Sequence, residues 1–353
     1  MSDYSFLEQL LQSPGTSSYE AKPARLWREK AREYGAQVTR DAYGNSFAAF
    51  GDSTDLTVMI AGHIDEIGLI ITHVDDKGYL YFSGIGIGDG RNLMGQRVRV
   101  VNEDGEEYIG VIGRKAPHLS AGNEQSKRVK LDELWIDIGA QDKEDALERV
   151  QPGAFAVHEA PPVRMGEHRL VSKALDNRVG AFIALEAARE AAKAGATARV
   201  VATATTQEEI GGIGANVATY HVNPDLAIAL DVGHATDVPD VSPKLAGEVH
   251  LGKGPAIEFG STVHQGVAKR LRDTAREADL PFQTSFSPRR TFTDADHMAA
   301  IRAGAPTVLL SIPNRYMHSP IEMVDLRDVD SAIRLLARFI AGIRERDELL
   351  PQD

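Results

Sequence analysis

The hydrophobic rhythm of this chain changes twice, and that change constrains the fold more than any other feature. In the first stretch, apolar spacing predicts helices over Tyr4–Gln12 and Pro23–Tyr34, then strands over Ser46–Gly51 and Leu56–Ala61. After Pro161-Pro162 the alternation resumes, with a helix over Asn177–Ala194 and strands over Arg199–Thr205, Leu226–Leu230 and Thr307–Ile312. Further helices fall over Val267–Ala278, Asp296–Ala303 and from Asp330 onward, where Ile333, Leu336, Ile340 and Ile343 form one stripe. Between these stretches, from Thr72 to Pro162, only short apolar runs remain: Arg97–Val101, Tyr108–Ile112, Leu134–Ile138 and Ala154–Val157. Turn signals at Asp76-Lys77-Gly78, Asp89-Gly90 and Asp104-Gly105 punctuate them, and Lys143–Val150 reads as one short helix. Strands alternating with helices predict an α/β fold with a mainly parallel sheet flanked by helices. The turn-rich stretch is then an inserted small all-β domain. Residues 1–71 and 163–353 make one discontinuous domain and residues 72–162 the other. A length of 353 residues suits two domains.

Composition removes several classes of function. The chain has no cysteine, which excludes disulfides, thiolate metal sites and cysteine nucleophiles, and fits a reducing compartment such as the cytoplasm. A formal net charge of −12 gives no basic footprint for nucleic acid or an anionic membrane. Met1–Gln12 contains Asp3 and Glu8 and lacks the basic start of a signal peptide, and no apolar stretch approaches a membrane span. The run Gly84–Gly90 misses the dinucleotide-binding spacing, and there is neither a P-loop nor a G-x-S-x-G motif.

Residues able to bind metal collect where the predicted strands run out. One strand ends at His63 and Asp65, another at Glu208 and Glu209, a third at Asp231, and a fourth leads to His318. Asp176 stands just before a helix, where it also reads as an N-cap. In open α/β sheets ligands bind outside the carboxyl ends of the strands, so these residues converge on one crevice. His63 can take a metal on one ring nitrogen while Asp65 accepts the other N–H. Of the adjacent Glu208 and Glu209, one can hold a cation and the other can serve as general base for water. Asp231 alone reads as a turn cap and His318 alone as a loop histidine. Two histidines and three carboxylates suit zinc, cobalt or manganese, and they suffice for two ions only if one carboxylate bridges. That is amide-hydrolysis chemistry. The other histidines read as solvated or core residues, with His118 and His297 the two to check against the structure.

These residues resemble the tetrahedral aminopeptidases, which include glutamyl and deblocking aminopeptidases and belong to the co-catalytic dinuclear metallopeptidases. The matching stretches are Gly62-His-Ile-Asp-Glu-Ile-Gly68, Ala174-Leu-Asp-Asn-Arg-Val-Gly180, Thr206-Gln-Glu-Glu-Ile-Gly211, Asp231 and Ile312-Pro-Asn-Arg-Tyr-Met-His-Ser-Pro320. The resemblance implies that Asp176 bridges two divalent metal ions, zinc foremost. It places His63 and Asp231 on one ion, Glu209 and His318 on the other, Glu208 as general base and Asp65 behind His63. It also implies a metallo-aminopeptidase fold, short peptide substrates, dimerisation through the β insertion, and assembly into a hollow tetrahedral dodecamer. Other clan chemistries remain as alternatives: an N-acyl amino acid deacylase, a dipeptidase, or a relative that binds metal without catalysis. Where the family usually has Gly-Thr-Asp-Ala, this chain has Phe292-Thr-Asp-Ala-Asp-His-Met298, preceded by Arg289 and Arg290. That departure leaves the preferred N-terminal residue open.

Overall fold

The computed structural model describes residues 4–53, 55–87, 89–115, 129–260 and 262–345; His118 and Asp3 lie outside them. Helices α1 (Ser5–Gln12) and α2 (Ala21–Glu33) precede strands β1 (Gln37–Arg40), β2 (Ser46–Phe50) and β3 (Thr57–His63). The buried connection Ile64–Ile67 then leads directly into β4 (Gly68–Val74). Strands β5 (Leu80–Ile85), β6 (Arg97–Val101), β7 (Glu107–Arg114), β8 (Leu134–Asp137) and β9 (Phe155–His158) follow, with α3 (Lys143–Arg149) before the last. These strands close a barrel in the order β4-β5-β8-β7-β6-β9. Alternate residues point inward, so Leu69, Ile71, Leu80, Val98, Ile112 and Ile136 share a hydrophobic cluster separate from the rest of the core. The barrel begins at Gly68, upstream of the predicted Thr72. A Cβ at Gly68 would stand 2.7 Å from Thr16 Oγ1 and 2.9 Å from the Ala156 carbonyl oxygen, so glycine admits this close approach.

The chain returns through β10 (Val163–Met165) and β11 (Arg169–Ser172) to α4 (Leu175–Lys193), β12 (Arg199–Thr205), α5 (Ile213–Val222) and β13 (Leu226–His234). Then come α6 (Pro243–Ala246), β14 (Ala256–Gly260), α7 (Gln265–Glu277), β15 (Gln283–Ser287) and α8 (Asp294–Met298). Strands β16 (Thr307–Asn314) and β17 (Glu322–Asp325) and helix α9 (Leu326–Ala341) complete the fold. An eight-stranded sheet has the order β1-β2-β12-β3-β13-β16-β14-β15. Its centre, β12-β3-β13-β16, is parallel, whereas β2 and β14 pair antiparallel with that centre. The sheet is therefore mixed. Its flanks come from a hairpin and two short strands that strand–helix alternation does not announce.

Both faces of the central strands are buried. Val58, Ile60, Ile228, Leu230, Val308 and Leu310 join the cluster that contains α4 and α9. Their neighbours Met59, Ala61, Ala227, Ala229 and Leu309 face the other way, against Ala215 and Ala218 of α5 and Met298 of α8. That second face, built largely of alanine, lets the short helices approach closely. Helix α5 has no distinct apolar stripe and escaped prediction. Helix α8 starts at Asp294, earlier than expected, because the Thr293 hydroxyl accepts the Ala295 N–H as an N-cap. Helix α9 likewise starts at Leu326, capped by Asp325. No helix among the described residues is long and apolar enough to cross a membrane.

Candidate active site

The parallel strands bring the predicted residues to one end of the sheet. His63 closes β3, Glu208 and Glu209 follow β12, and His318 follows β16. Strand β13 runs on to His234, so Asp231 lies within it and does not terminate it as expected; its Oδ1 accepts the Val232 N–H at 2.8 Å. Asp176 is not a helix cap. It has non-helical backbone angles in the first turn of α4, next to a cis peptide bond to Asn177 and to Ala174 at φ 57°. Its carboxylate lies between two imidazoles: Oδ1 is 3.2 Å from His63 Nε2 and Oδ2 is 3.2 Å from His318 Nε2.

Two groups of donors result. His63, Asp176 and Asp231 form one; Asp176, Glu209 and His318 form the other; within each, the donor atoms lie within 4.8 Å of one another. Glu209 Oε2 stands 3.4 Å from His318 Nε2, and Asp231 Oδ1 stands 3.8 Å from His63 Nε2. Glu208 belongs to neither group, although its Oε2 is 3.8 Å from His63 Nε2. The adjacent glutamates are thus inequivalent.

Asp65 ties the centre together. Its Oδ1 is 3.3 Å from His63 Nδ1 and accepts the Glu208 N–H, while Oδ2 accepts the Glu209 N–H and the Ser17 hydroxyl. Sequence reasoning anticipated the first of these contacts and missed the others. It also missed Glu322, whose buried carboxylate accepts the N–H groups of both Asp176 and His318. Behind Asp65, buried Glu66 pairs with Lys173 and Arg178, and Arg178 also donates to the carbonyls of Leu10, Ser13, Gly15 and Ile64. Arg178 thereby fastens the N-terminal segment under the site. No motif spacing carries these contacts, since their partners are far apart along the chain.

So many acids cannot all ionise side by side. Burial raises Glu208 to about 8, against the pull of His63, and raises Glu209 and Asp231 well above the usual carboxylate range. Burial opposes charge on His63, yet hydrogen bonds to Asp176 and Asp65 hold its pKa well above normal. Burial also pushes Asp294 up to about 6; this residue accepts the Thr205 hydroxyl at 2.5 Å. A divalent cation would relieve this crowding. Glu209 Oε1 is buried with no hydrogen-bond partner among the described residues, an acceptor suited to an ion. The donor set of imidazole and carboxylate therefore fits a metal of the zinc, cobalt or manganese type.

The donors open into a cleft of about 940 Å³. Arg290, Phe292, Thr293 and His297 line it, with Arg290 Nε 3.3 Å from Asp296 Oδ2. His297 Nδ1 lies 3.1 Å from Asn216 Nδ2 and joins neither donor group. Arg289 offers its carbonyl to Thr262. A larger depression of about 1420 Å³ between α7 and α9 contains none of these residues.

The fold and this donor set define a metallohydrolase-type α/β enzyme. Within that class, residues 44–335 match the M42 glutamyl aminopeptidase family, and the chain belongs to it; it is a peptide hydrolase. A lysyl aminopeptidase of Pyrococcus furiosus is 36% identical over 350 residues, covering 98% of this chain and 99% of the relative. Among solved structures, a TET aminopeptidase from the marine sediment archaeon Thaumarchaeota archaeon SCGC AB-539-E09 superposes with a TM-score of 0.92 at 32% identity, covering 98% and 97% of the two chains. The TET1 peptidase of Pyrococcus horikoshii, described as assembling into a tetrahedron or a large octahedral shell, gives 0.83 at 32% identity over 96% and 99%.

Proposed function

We propose that this chain is a cytoplasmic, metal-dependent aminopeptidase that removes N-terminal residues from short peptides with two divalent ions, zinc foremost. The observation that carries this reading is Asp176, whose two oxygens each face a different histidine at 3.2 Å. His63, Asp176 and Asp231 would hold one ion, and Asp176, Glu209 and His318 the other. Bound there, the ions would supply Lewis acidity to the scissile carbonyl and lower the pKa of water.

The chain's own groups do the rest. Glu208, outside both donor groups, takes the proton of the attacking water and returns it to the departing amine. Its Oε2 is 3.8 Å from His63 Nε2, so it stands beside the reacting atoms without being tied to them. Asp65 fixes the tautomer of His63 and, through two backbone N–H groups, aims Glu208 and Glu209 in different directions. Glu322 holds the backbones of Asp176 and His318 at their mutual distance.

Residues 1–71 and 163–353 serve in this reading as the catalytic α/β domain, and residues 72–162 as an inserted all-β domain for dimerisation, with dimers building a dodecamer. Exposed Met94, Ile109 and Val111 on the barrel support that role. The matched names differ in the residue removed, lysyl for one relative and glutamyl for the family.

The test is hydrolysis of free-amine aminoacyl p-nitroanilides and their N-acetylated counterparts after metal stripping and add-back of zinc, cobalt or manganese. Metal-dependent release from the free amines alone is expected. Preference for N-acetylated substrates would transfer the chain to the deacylase reading.

A further inference from the structure

One buried acid in the cleft takes no part in the chemistry above. Glu258 lies on β14, where side chains alternate between faces. Ile257 points into the core beneath α4 and α9, whereas Ala256 and Glu258 face the cleft with Leu309 and Ser311 of β16. Glu258 is 5% exposed; its Oε2 accepts the Ser285 hydroxyl, and its Oε1 has no hydrogen-bond partner among the described residues. Among the described residues, no lysine, arginine or histidine forms an ion pair with it. A carboxylate buried in this way is costly unless a cation or donor arrives to complete it.

The place of Glu258 in the sheet shows which part of a peptide would complete it. Asp231 on β13 pairs with Ser311, and Ser311 pairs with Ala256, so the donor groups and Ala256 stand level across the sheet. Two strand spacings and two residues of rise put the Glu258 backbone about 12 Å from that of Asp231. The α-amine of a substrate sits beside its scissile carbonyl, close to the donor groups, and the N-terminal side chain extends away from them. Leu309 and Met317 give the intervening wall an apolar surface suited to an aliphatic stem. The cations of the cleft do not compensate Glu258: Arg290 is paired with Asp296 and 62% exposed, and Lys244 is exposed at the rim, where solvent screens charge.

We infer that Glu258 is the base of the pocket for the N-terminal side chain and selects a cationic one, lysine or arginine. This rests on the aminopeptidase reading for its role in catalysis, but the binding it predicts can be measured separately. Lysine's flexible stem ending in a compact ammonium fits a carboxylate at the end of an apolar-walled pocket.

The experiment uses the metal-loaded full-length enzyme and its Glu258→Gln variant. For the wild type, kcat/KM for lysyl and arginyl p-nitroanilides exceeds that for leucyl. In the variant the lysyl-to-leucyl ratio falls tenfold to a hundredfold, the effect of losing one charge-assisted contact. An unchanged ratio, including equal loss on both substrates as expected if Glu258 held the α-amine, overturns the inference. Calorimetric titration with free L-lysine and L-norleucine, which differ by the terminal amine, requires no turnover. Tighter binding of lysine, abolished in Glu258→Gln, upholds the pocket even if no aminoacyl substrate is cleaved, a result that would refute the aminopeptidase reading alone. Equal binding of the two amino acids by the wild type overturns the pocket without recourse to any variant.

Discussion

The two donor groups share Asp176 and differ in almost everything else. In the first, the side chains of His63 and Asp231 are 1% and 7% exposed; in the second, His318 is 47% exposed. His63 sits at the end of a central strand with its second nitrogen against Asp65. His318 sits in a loop at φ 58°, held by its backbone N–H to Glu322, and no comparable support for its second nitrogen occurs among the described residues. One position is therefore built into the core before any ion arrives, while the other is completed from the surface. On the proposed two-ion reading, a shared bridge between such unequal positions would give one ion a structural hold and leave the other freer to exchange. Four experiments can break or sharpen that contrast.

The largest effect is expected outside both groups. Glu208→Gln should lower kcat by about a thousandfold, the range for a lost general base, while metal content stays at that of the wild type. Loss of an ion in this variant would place Glu208 among the ligands and end the distinction between the adjacent glutamates.

Next is a correction that any acid titration of the site requires. Burial pushes His158, at the end of β9, down to about 4 from its ordinary 6.5. Below the ordinary value the unfolded chain takes a proton that the folded chain refuses, so stability is present at neutral pH and falls as pH drops from 6.5 towards 4. The loss is about 3 kcal/mol. Urea unfolding of the metal-free protein at pH 7 and pH 4 should show it, and His158→Phe should remove most of that difference. If the substitution leaves the pH dependence intact, acid sensitivity arises elsewhere, and the crowded carboxylates become the first suspects.

Asp65→Asn removes the partner of His63 and alters the acceptor for two backbone N–H groups. Metal affinity should fall ten- to a hundredfold, the usual cost of losing a residue that orients a ligand. Competition with a chromogenic chelator measures it. Weakening confined to one ion would show that the hold on Glu209 is independent of Asp65.

The smallest effect bears most directly on the contrast. Under limiting chelator, one equivalent of metal should leave faster than the other by on the order of tenfold, a difference of about 1.4 kcal/mol in barrier. His318→Ala should abolish the fast phase and keep the slow one. A single release rate for both equivalents contradicts the proposed inequality.

The sequence made one layer of this site legible and hid the next. His63, Glu208, Glu209 and His318 could be placed because apolar runs fix where strands stop, and strand ends in such sheets face the crevice. Asp176 and Asp231 followed by convergence, although a helix N-cap and a turn cap were equally good local readings of them. Glu322, Ser17 and Lys173 gave no signal, and Glu66 and Arg178 stood inside matching stretches without a role, since their partners come together only when the chain folds. Glu258 is hidden for a related reason: strand–helix alternation does not announce a strand over Ala256–Gly260, and only its pairing with β16 and β15 shows which face is wet. The barrel was legible as a change of rhythm, but its first strand begins at Gly68 because Thr16 and Ala156 pack there, which no periodicity records.

The junction at Ile64–Ile67 has a mechanical meaning. His63 ends β3 and Gly68 starts the barrel, and the residues between are buried, with Glu66 clamped by Lys173, Arg178 and the Gly15 N–H. A coupling this short has no slack. The contacts that pin Glu66 therefore fix the end of β3 and the start of the barrel in one place, so a single cluster of buried charge sets the position of both.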